Sequence, residues 1–167
     1  NSYFLTISPE TNNLRYTQVN PDYNNNNLTP FPYYLHEEKV VYSGTFYKNV
    51  DGEIRFSNFE PTEGFGTGVQ QTTNINLKTD KYVDNGPLPK VKFRLGFNKN
   101  KPRIDIYWNS IIKETKELDS GKTYEFSYDI DKTEINSSNI LKITNTYSLN
   151  DKHRISYASF VYPRSFD

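Results

Sequence analysis

Short stretches rich in β-branched and aromatic residues recur along this chain about every 10–15 residues, and turn-forming dipeptides separate them. Asp51-Gly52, Asn85-Gly86 and Ser120-Gly121 are good examples of such turns. Helical periodicity is nearly absent. The pattern predicts an all-β fold, an antiparallel β-sandwich of the jelly-roll kind with about ten strands and little helix. The candidate strands cover residues 3–7, 14–19, 39–48, 53–57, 68–77, 90–98, 103–109, 111–116, 122–130, 139–147 and 154–162.

Aromatic side chains compensate for a modest apolar content. Only 34% of the 167 residues are hydrophobic, but 14 tyrosines and 11 phenylalanines raise the aromatic fraction to 16%. Each such ring can bury roughly 150–250 Å², so a core is available without many aliphatic residues. A chain of this length is most simply one domain, residues 1–167.

Net charge and composition limit the binding partners and the cellular location that we expect for this protein. Twenty basic residues balance twenty acidic ones, so no overall field favours nucleic acid or a membrane surface. No apolar run is long enough for a transmembrane segment. The chain has no cysteine and no methionine but 20 asparagines. This composition predicts a secreted or cell-surface protein, processed or excised from a larger parent polypeptide.

Residues 20–38 interrupt the regular strand pattern. They contain three prolines and four consecutive asparagines, which predicts a long surface loop. Its aromatic residues distinguish it from a plain linker, and Tyr33 and Tyr34 are candidate ligand-binding residues. The alternative is that these rings merely pin the segment to the domain.

The stretch R-I-D-I-Y-W-N-S, residues 103–110, contains the only tryptophan. Alternation along a strand places Trp108 on the apolar side and Tyr107 on the polar side. We expect this strand to form a hairpin with residues 90–98, and Trp108 to lie in the core. The predicted register sets Phe97 opposite Ile104, Leu95 opposite Ile106 and Phe93 opposite Trp108.

The polar face of that predicted hairpin is the candidate ligand-binding surface. Planar hydrogen-bonding groups beside an aromatic ring suit the hydroxyl pairs and the apolar face of a sugar. Gly96 opposite Asp105 would dent the surface. Residues 90–103 also hold six basic residues and no acid, which suits either internal pairing with the acidic segment 114–134 or the binding of an anionic glycan or phosphate. The alternative is a solvated sheet face. The candidate residues are Arg94, Arg103, Asp105, Tyr107 and Asn109.

The candidate metal-binding residues in the sequence are acidic side chains that lie close together along the chain. Asp129 and Asp131 share one face at a strand end and are candidate ligands for a structural calcium ion. No other cofactor is predicted, and no known catalytic motif is present.

The C-terminal half resembles a known kind of sandwich domain. The segments V-K-F-R-L-G-F, R-I-D-I-Y-W-N-S-I-I-K-E, L-D-S-G-K-T-Y-E-F-S-Y-D-I and R-I-S-Y-A-S-F are similar to the second half of jelly-roll carbohydrate-binding modules. They are also similar to the sandwich domain that ends some insecticidal crystal toxins. The resemblance implies a non-catalytic domain that recognises a ligand, and it assigns no binding residue.

Three functions remain open on this evidence. The first is glycan or other cell-surface ligand recognition by a secreted or surface protein, without catalysis. The second is a structural or adhesive protein-interaction domain of a surface, toxin or tail assembly. The third is an enzyme acting on polysaccharides from a sandwich scaffold.

Overall fold

The computed structural model describes residues 31–43, 45–47, 64–68, 70–97, 102–119, 123–147 and 152–166. The chain divides into two compact units, residues 1–30 and residues 31–167, and all described residues belong to the second. The predicted strands 3–7, 14–19 and 53–57 lie outside the described residues. Whether residues 1–167 form one domain stays a prediction.

The described residues form ten strands, one short 3₁₀ helix at Lys132–Glu134, and no α-helix. The strands are β1 (Tyr34–Val41), β2 (Thr45–Tyr47), β3 (Gly64–Gly66), β4 (Thr72–Lys78), β5 (Lys90–Phe97), β6 (Arg103–Trp108), β7 (Ile111–Glu117), β8 (Thr123–Asp129), β9 (Ser138–Asn145) and β10 (His153–Arg164).

Eight of these strands make two four-stranded antiparallel sheets. The first sheet has the order β1-β10-β5-β8 and the second has the order β4-β9-β6-β7. Counted along the chain, these eight strands read 1-8-3-6 and 2-7-4-5, which is the double-sheet jelly-roll arrangement. The all-β sandwich is thus confirmed, with eight sandwich strands in the described part instead of about ten. Strands β2 and β3 form a separate two-stranded ladder.

The core lies between the two sheets. Strand β5 contributes every second residue from Val91 to Phe97, and β6 contributes Ile104, Ile106 and Trp108 from the other side. The indole of Trp108 is fully buried and lies 4.7 Å, centroid to centroid, from the ring of Phe160 on β10. The prediction that Trp108 is a core residue is confirmed.

The predicted hairpin between residues 90–98 and 103–109 is wrong. Strand β5 pairs with β10 and β8, whereas β6 pairs with β7 and β9. The two apolar faces meet across the sandwich instead of lying side by side in one sheet. Alternation alone cannot separate these arrangements, because both bury the same side chains.

Part of the predicted loop is a strand. Residues 34–38 are the first five of the eight residues of β1, which pairs along its whole length with β10. Residues 20–30 lie outside the described residues. The sequence L-H-E-E gives no apolar alternation, so the strand forms here because β10 offers a partner of 12 residues.

Candidate functional site

The outer face of the first sheet carries side chains in rows that cross the strands. Cross-strand pairing of β10, β5 and β8 produces three such rows. Neighbouring rows are two residues apart along each strand, a spacing of about 6.7 Å. The rows are Val161, Lys90 and Asp129; Ser159, Lys92 and Ser127; and Tyr157, Arg94 and Glu125.

The middle row is lower than its neighbours. Serines on both sides of Lys92 leave space that longer side chains in the two flanking rows enclose. The resulting depression has a volume of about 460 Å³, within the range of small-ligand sites. Its lining residues are Lys90, Lys92, Glu125, Phe126, Ser127 and Tyr157. We refer to it as the Tyr157 trough.

A β-bulge aims Tyr157 into this trough. His153 and Ile155 are buried, so strict alternation would turn Tyr157 inward as well. The register with β5 shifts between Ile155 and Tyr157, which makes Ser156 an extra residue. The phase of β10 therefore reverses and Tyr157 stands on the outer face. Bulges commonly re-aim side chains in this way beside functional sites.

Tyr157 is fixed at both ends of its side chain. The ammonium of Lys39 lies 5.1 Å from the ring centroid, a cation–π contact. The phenol hydroxyl donates a hydrogen bond of 3.4 Å to Glu125 Oε1. Burial, followed by the Glu125 carboxylate, raises the pKa of Tyr157, so the phenol remains a donor at neutral pH.

The trough is closed at one end and open at the other. Ser159 is only 1% exposed although it faces outward, and its cross-strand neighbour on β1 is Lys39, whose ammonium contacts the Tyr157 ring. Lys92 and Ser127 are exposed, and β8 is the last strand of the first sheet in the described part. A ligand can therefore enter from the β8 side and meet the Tyr157 ring.

The charged groups of the trough differ in their partners. Lys90 pairs with Asp129 at 3.0 Å. The Lys92 ammonium makes no ion pair or hydrogen bond within the part of the chain that the structure describes. Ammonium, hydroxyl and carboxylate groups beside a phenol ring can bind sugar hydroxyls and stack on the apolar side of a pyranose.

The structure splits the predicted ligand-binding set. Arg94 lies beside Tyr157 on the outer face of the first sheet. The outer face of the second sheet carries Arg103, Asp105 and Tyr107. The sandwich separates the two faces, and Gly96 pairs with Thr123 and Arg154 instead of facing Asp105. The ligand-binding role of these residues stays a prediction.

The second sheet has its own polar and aromatic group, which we call the Tyr107 face. Asp105 accepts hydrogen bonds from Thr115 Oγ1 at 2.7 Å and from the Tyr107 hydroxyl at 3.2 Å. The ammonium of Lys142 lies 5.2 Å from the Tyr107 ring centroid. Arg103 is exposed at the end of this face. The Tyr107 face thus resembles the surroundings of Tyr157 in chemistry, but its carboxylate already has two donors.

Asn109 has a structural task. Asn109 and Ser110 have φ angles of 47° and 73°, which make the two-residue connection of a β6–β7 hairpin with the primed type of turn. Its amide nitrogen donates to the Glu134 carbonyl and to Asn139 Oδ1, and its amide oxygen accepts from Ile140 N–H. Both amide hydrogens are therefore already used.

Tyr33 and Tyr34 lie away from both faces just described. The Tyr34 ring is 5.2 Å from the ring of Phe166 and 6.2 Å from that of His36. Tyr34 pairs with Arg164, at the end of β1 that is remote from the Tyr157 row. Tyr33 is half-buried beside Gly86.

The two candidate calcium ligands have separate partners. Asp129 pairs with Lys90, as described above. Asp131 caps the 3₁₀ helix by accepting from Thr133 N–H at 2.9 Å and Thr133 Oγ1 at 2.6 Å, which lowers the pKa of its carboxyl. No group of three or more His, Asp or Glu side chains suited to a metal occurs among the described residues. A structural calcium ion at this pair stays a prediction.

None of the residues that line the Tyr157 trough is among the predicted ligand-binding residues, although Arg94 lies beside it as the cross-strand neighbour of Tyr157. The sequence feature that could have identified them is a change in the alternation of inward and outward side chains within I-S-Y-A-S-F-V-Y, residues 155–162. Ile155 begins one alternation, but Ala158, Phe160 and Tyr162 follow the opposite one. A phase change of this kind indicates a bulge and identifies Tyr157 as outward-facing.

Searches among known proteins give matches of fold alone. No protein-family model matches the chain, and no curated protein matches its sequence. The chain is similar to dimeric latent PorU from Porphyromonas gingivalis, with 8% identity and a TM-score of 0.51. That match covers 81% of this chain and 13% of PorU.

Two carbohydrate-binding modules are also among the structural matches. One is the CBM36-1 domain of a multidomain xylanase from the hindgut metagenome of Trinervitermes trinervoides, with 13% identity, a TM-score of 0.42, and coverage of 76% of this chain and 96% of that one. The other is a family 35 module from Clostridium thermocellum, with 12% identity, a TM-score of 0.44, and coverage of 73% and 96%. Modules of the kind that the C-terminal half resembles in sequence are therefore among the structural matches.

No helix in the described part of the chain has the length and apolar character needed to cross a membrane.

Proposed function

We propose that this chain is a non-catalytic recognition domain of a secreted or surface protein, part of a larger polypeptide, and that it binds a glycan in the Tyr157 trough. The observation that carries the proposal is the bulge at Ser156, which turns an aromatic ring outward beside a depression of about 460 Å³. An aromatic surface suits the apolar side of a pyranose, and the nearby hydrogen-bonding groups suit its hydroxyls.

The trough suits a sugar better than the Tyr107 face does. Concavity buries more of a small ligand than a flat sheet surface can, and the serine row provides that concavity. The side chains of Lys92 and Ser127 are exposed and have no hydrogen-bond partner in the described part, so they are available to a ligand. On the Tyr107 face, the Asp105 carboxylate is bound by Thr115 and Tyr107.

A glycan array with two matched variants tests this proposal. Tyr157→Ala removes the trough ring, and Tyr107→Ala removes a half-buried tyrosine with an equivalent lysine contact on the opposite face. We expect the unmodified protein to bind a set of glycans, Tyr157→Ala to lose them, and Tyr107→Ala to retain them. Circular dichroism and thermal unfolding establish that both variants are folded. Loss of binding in Tyr107→Ala alone would move the site to the second sheet, and an array without any bound glycan would refute the function.

One observation favours a protein-interaction domain as the second candidate. Ile112 and Ile140 are 53% and 43% exposed on either side of the strand that carries Tyr107. Exposed branched aliphatic residues next to an aromatic ring are typical of interaction surfaces. A negative glycan array, together with self-association in sedimentation experiments that Ile112→Ser and Ile140→Ser abolish, would favour this candidate.

A further inference from the structure

We propose that the sugar recognised in the Tyr157 trough carries one negatively charged group, a carboxylate or a sulfate, and that Lys92 binds it. This inference rests on the proposed glycan-binding function and specifies its ligand class. It depends on the position of Lys92 in the middle row and on the partners of the surrounding charges.

Most charges on this face already have an internal partner. Lys90 and Asp129 form an ion pair at 3.0 Å. Glu125 accepts from the Tyr157 hydroxyl and is the cross-strand neighbour of Arg94. Lys39 covers the Tyr157 ring.

Lys92 is different because its ammonium lacks such a partner in the described part of the chain. Counting the outward-facing groups on the four strands, the cations are Lys39, Lys90, Lys92, Arg94 and Arg154, and the acids are Glu37, Glu125 and Asp129. The cations therefore exceed the acids by two. Arg154 donates a hydrogen bond to the Thr67 carbonyl, whereas Lys92 lines the trough.

The position of Lys92 suits a bound anion. Its cross-strand neighbours are Ser127 on β8 and Ser159 on β10, whose side chains are too short to cover it. The exposed Ser127 hydroxyl can donate to the same anion. A ligand that stacks on Tyr157 and enters from the β8 side would bring a substituent of its ring to this pair.

Glu125 restricts where that anion can lie. Its carboxylate is at the wall of the trough, two residues along β8 from Ser127, and would repel a negative group placed near it. Asp129, two residues from Ser127 in the other direction, is paired with Lys90. The anionic group is therefore expected on the side of the trough that faces Lys90, with the stacked ring on the side of Tyr157. In this orientation an acidic sugar gains a contact with the Lys92 ammonium that a neutral sugar lacks.

The test uses an array that carries uronic-acid, sialylated, sulfated and neutral glycans, read at low and at high salt. The acidic glycan bound best is then titrated beside its carboxyl-reduced or desulfated form by isothermal calorimetry. The variants are Lys92→Gln and, as a matched control, Lys142→Gln, which removes an exposed lysine from the Tyr107 face.

We expect the acidic form to bind at least about tenfold more tightly than its uncharged form, because it gains one charge-assisted hydrogen bond. Lys92→Gln should reduce that ratio to near one, and Lys142→Gln should preserve it. Comparison of carboxylate and sulfate ligands identifies which anion is preferred. An array that contains only neutral hits, or a ratio that survives Lys92→Gln, would overturn the charge inference while glycan binding stands. An array without hits would overturn the proposed function itself.

Discussion

His153 gives this sandwich a defined sensitivity to acid. Its side chain is fully buried at the start of β10, where Nε2 lies 2.9 Å from Thr73 Oγ1 and Nδ1 lies 3.3 Å from Asn145 Oδ1. The edge of Phe97 packs against the imidazole, and the polar neighbours are uncharged. None of the carboxylates in the described ranges compensates a proton on the ring, and burial lowers the pKa of His153 to about 4 from 6.5.

The size of the effect follows from proton linkage. The imidazole is neutral in the fold, whereas in the unfolded chain it takes up a proton below its ordinary pKa of 6.5. Its contribution is therefore complete above pH 6.5 and decreases as the pH falls towards 4. With these two pKa values the free energy of unfolding should decrease by about 2 kcal/mol between pH 7 and pH 5, and by about 3 kcal/mol at pH 4.

Urea unfolding at several pH values measures this contribution. Acidic side chains also titrate in this range, so His153→Gln, which keeps hydrogen-bonding capacity without a titrating group, isolates the histidine. We expect the variant to be less stable at pH 7 but to lose about 2 kcal/mol less between pH 7 and pH 5. Parallel pH profiles for His153→Gln and the unmodified protein would refute the reasoning.

Three further predictions concern packing and turns, each measured as a free energy of unfolding in urea. Trp108→Phe removes the buried indole and its N–H hydrogen bond to the Glu134 carbonyl, so it should cost about 1–3 kcal/mol. Tyr107→Phe, on the outward side of the same strand, should cost less than about 1 kcal/mol. Equal costs would contradict the assignment of Trp108 to the inner face of β6 and Tyr107 to the outer face. Gly86→Ala places a Cβ 2.5 Å from a proline side-chain carbon of β10 and should cost about 1–3 kcal/mol, whereas Gly68→Ala meets nothing within 4 Å and should be nearly neutral. Ser110→Gly relieves a φ of 73° and should stabilise the protein by about 0.5–1 kcal/mol, and a loss of stability would contradict the assigned turn.

The sequence predicts which side chains are buried better than it predicts which strands are neighbours. Alternation in residues 103–108 assigns Trp108 to the core, because period-two burial is a local property of the strand. Pairing is not local. Strand β5 lies between β10 and β8, so its partners come from far along the chain, and a short connection to β6 wrongly suggested a hairpin.

The same reason explains the error in the candidate site. Arg94 was grouped with Asp105 and Tyr107 through the assumed hairpin, but its cross-strand neighbours are Glu125 and Tyr157. The trough requires three strands in register and one bulge, and only the phase change after Ile155 is visible in the sequence. Composition could indicate a polar outer surface, but it could not indicate which two serines flank Lys92.

Chemical-shift mapping of a bound oligosaccharide tests most directly which outer face is used. The best-bound glycan from the array is titrated into isotope-labelled protein, and backbone amide shifts are followed on both sheets. Binding in the Tyr157 trough predicts that the largest shifts occur at Lys92, Ser127 and Tyr157, with the amides of the Tyr107 face unchanged. Shifts centred on Asp105 and Tyr107, with the trough unaffected, would contradict it.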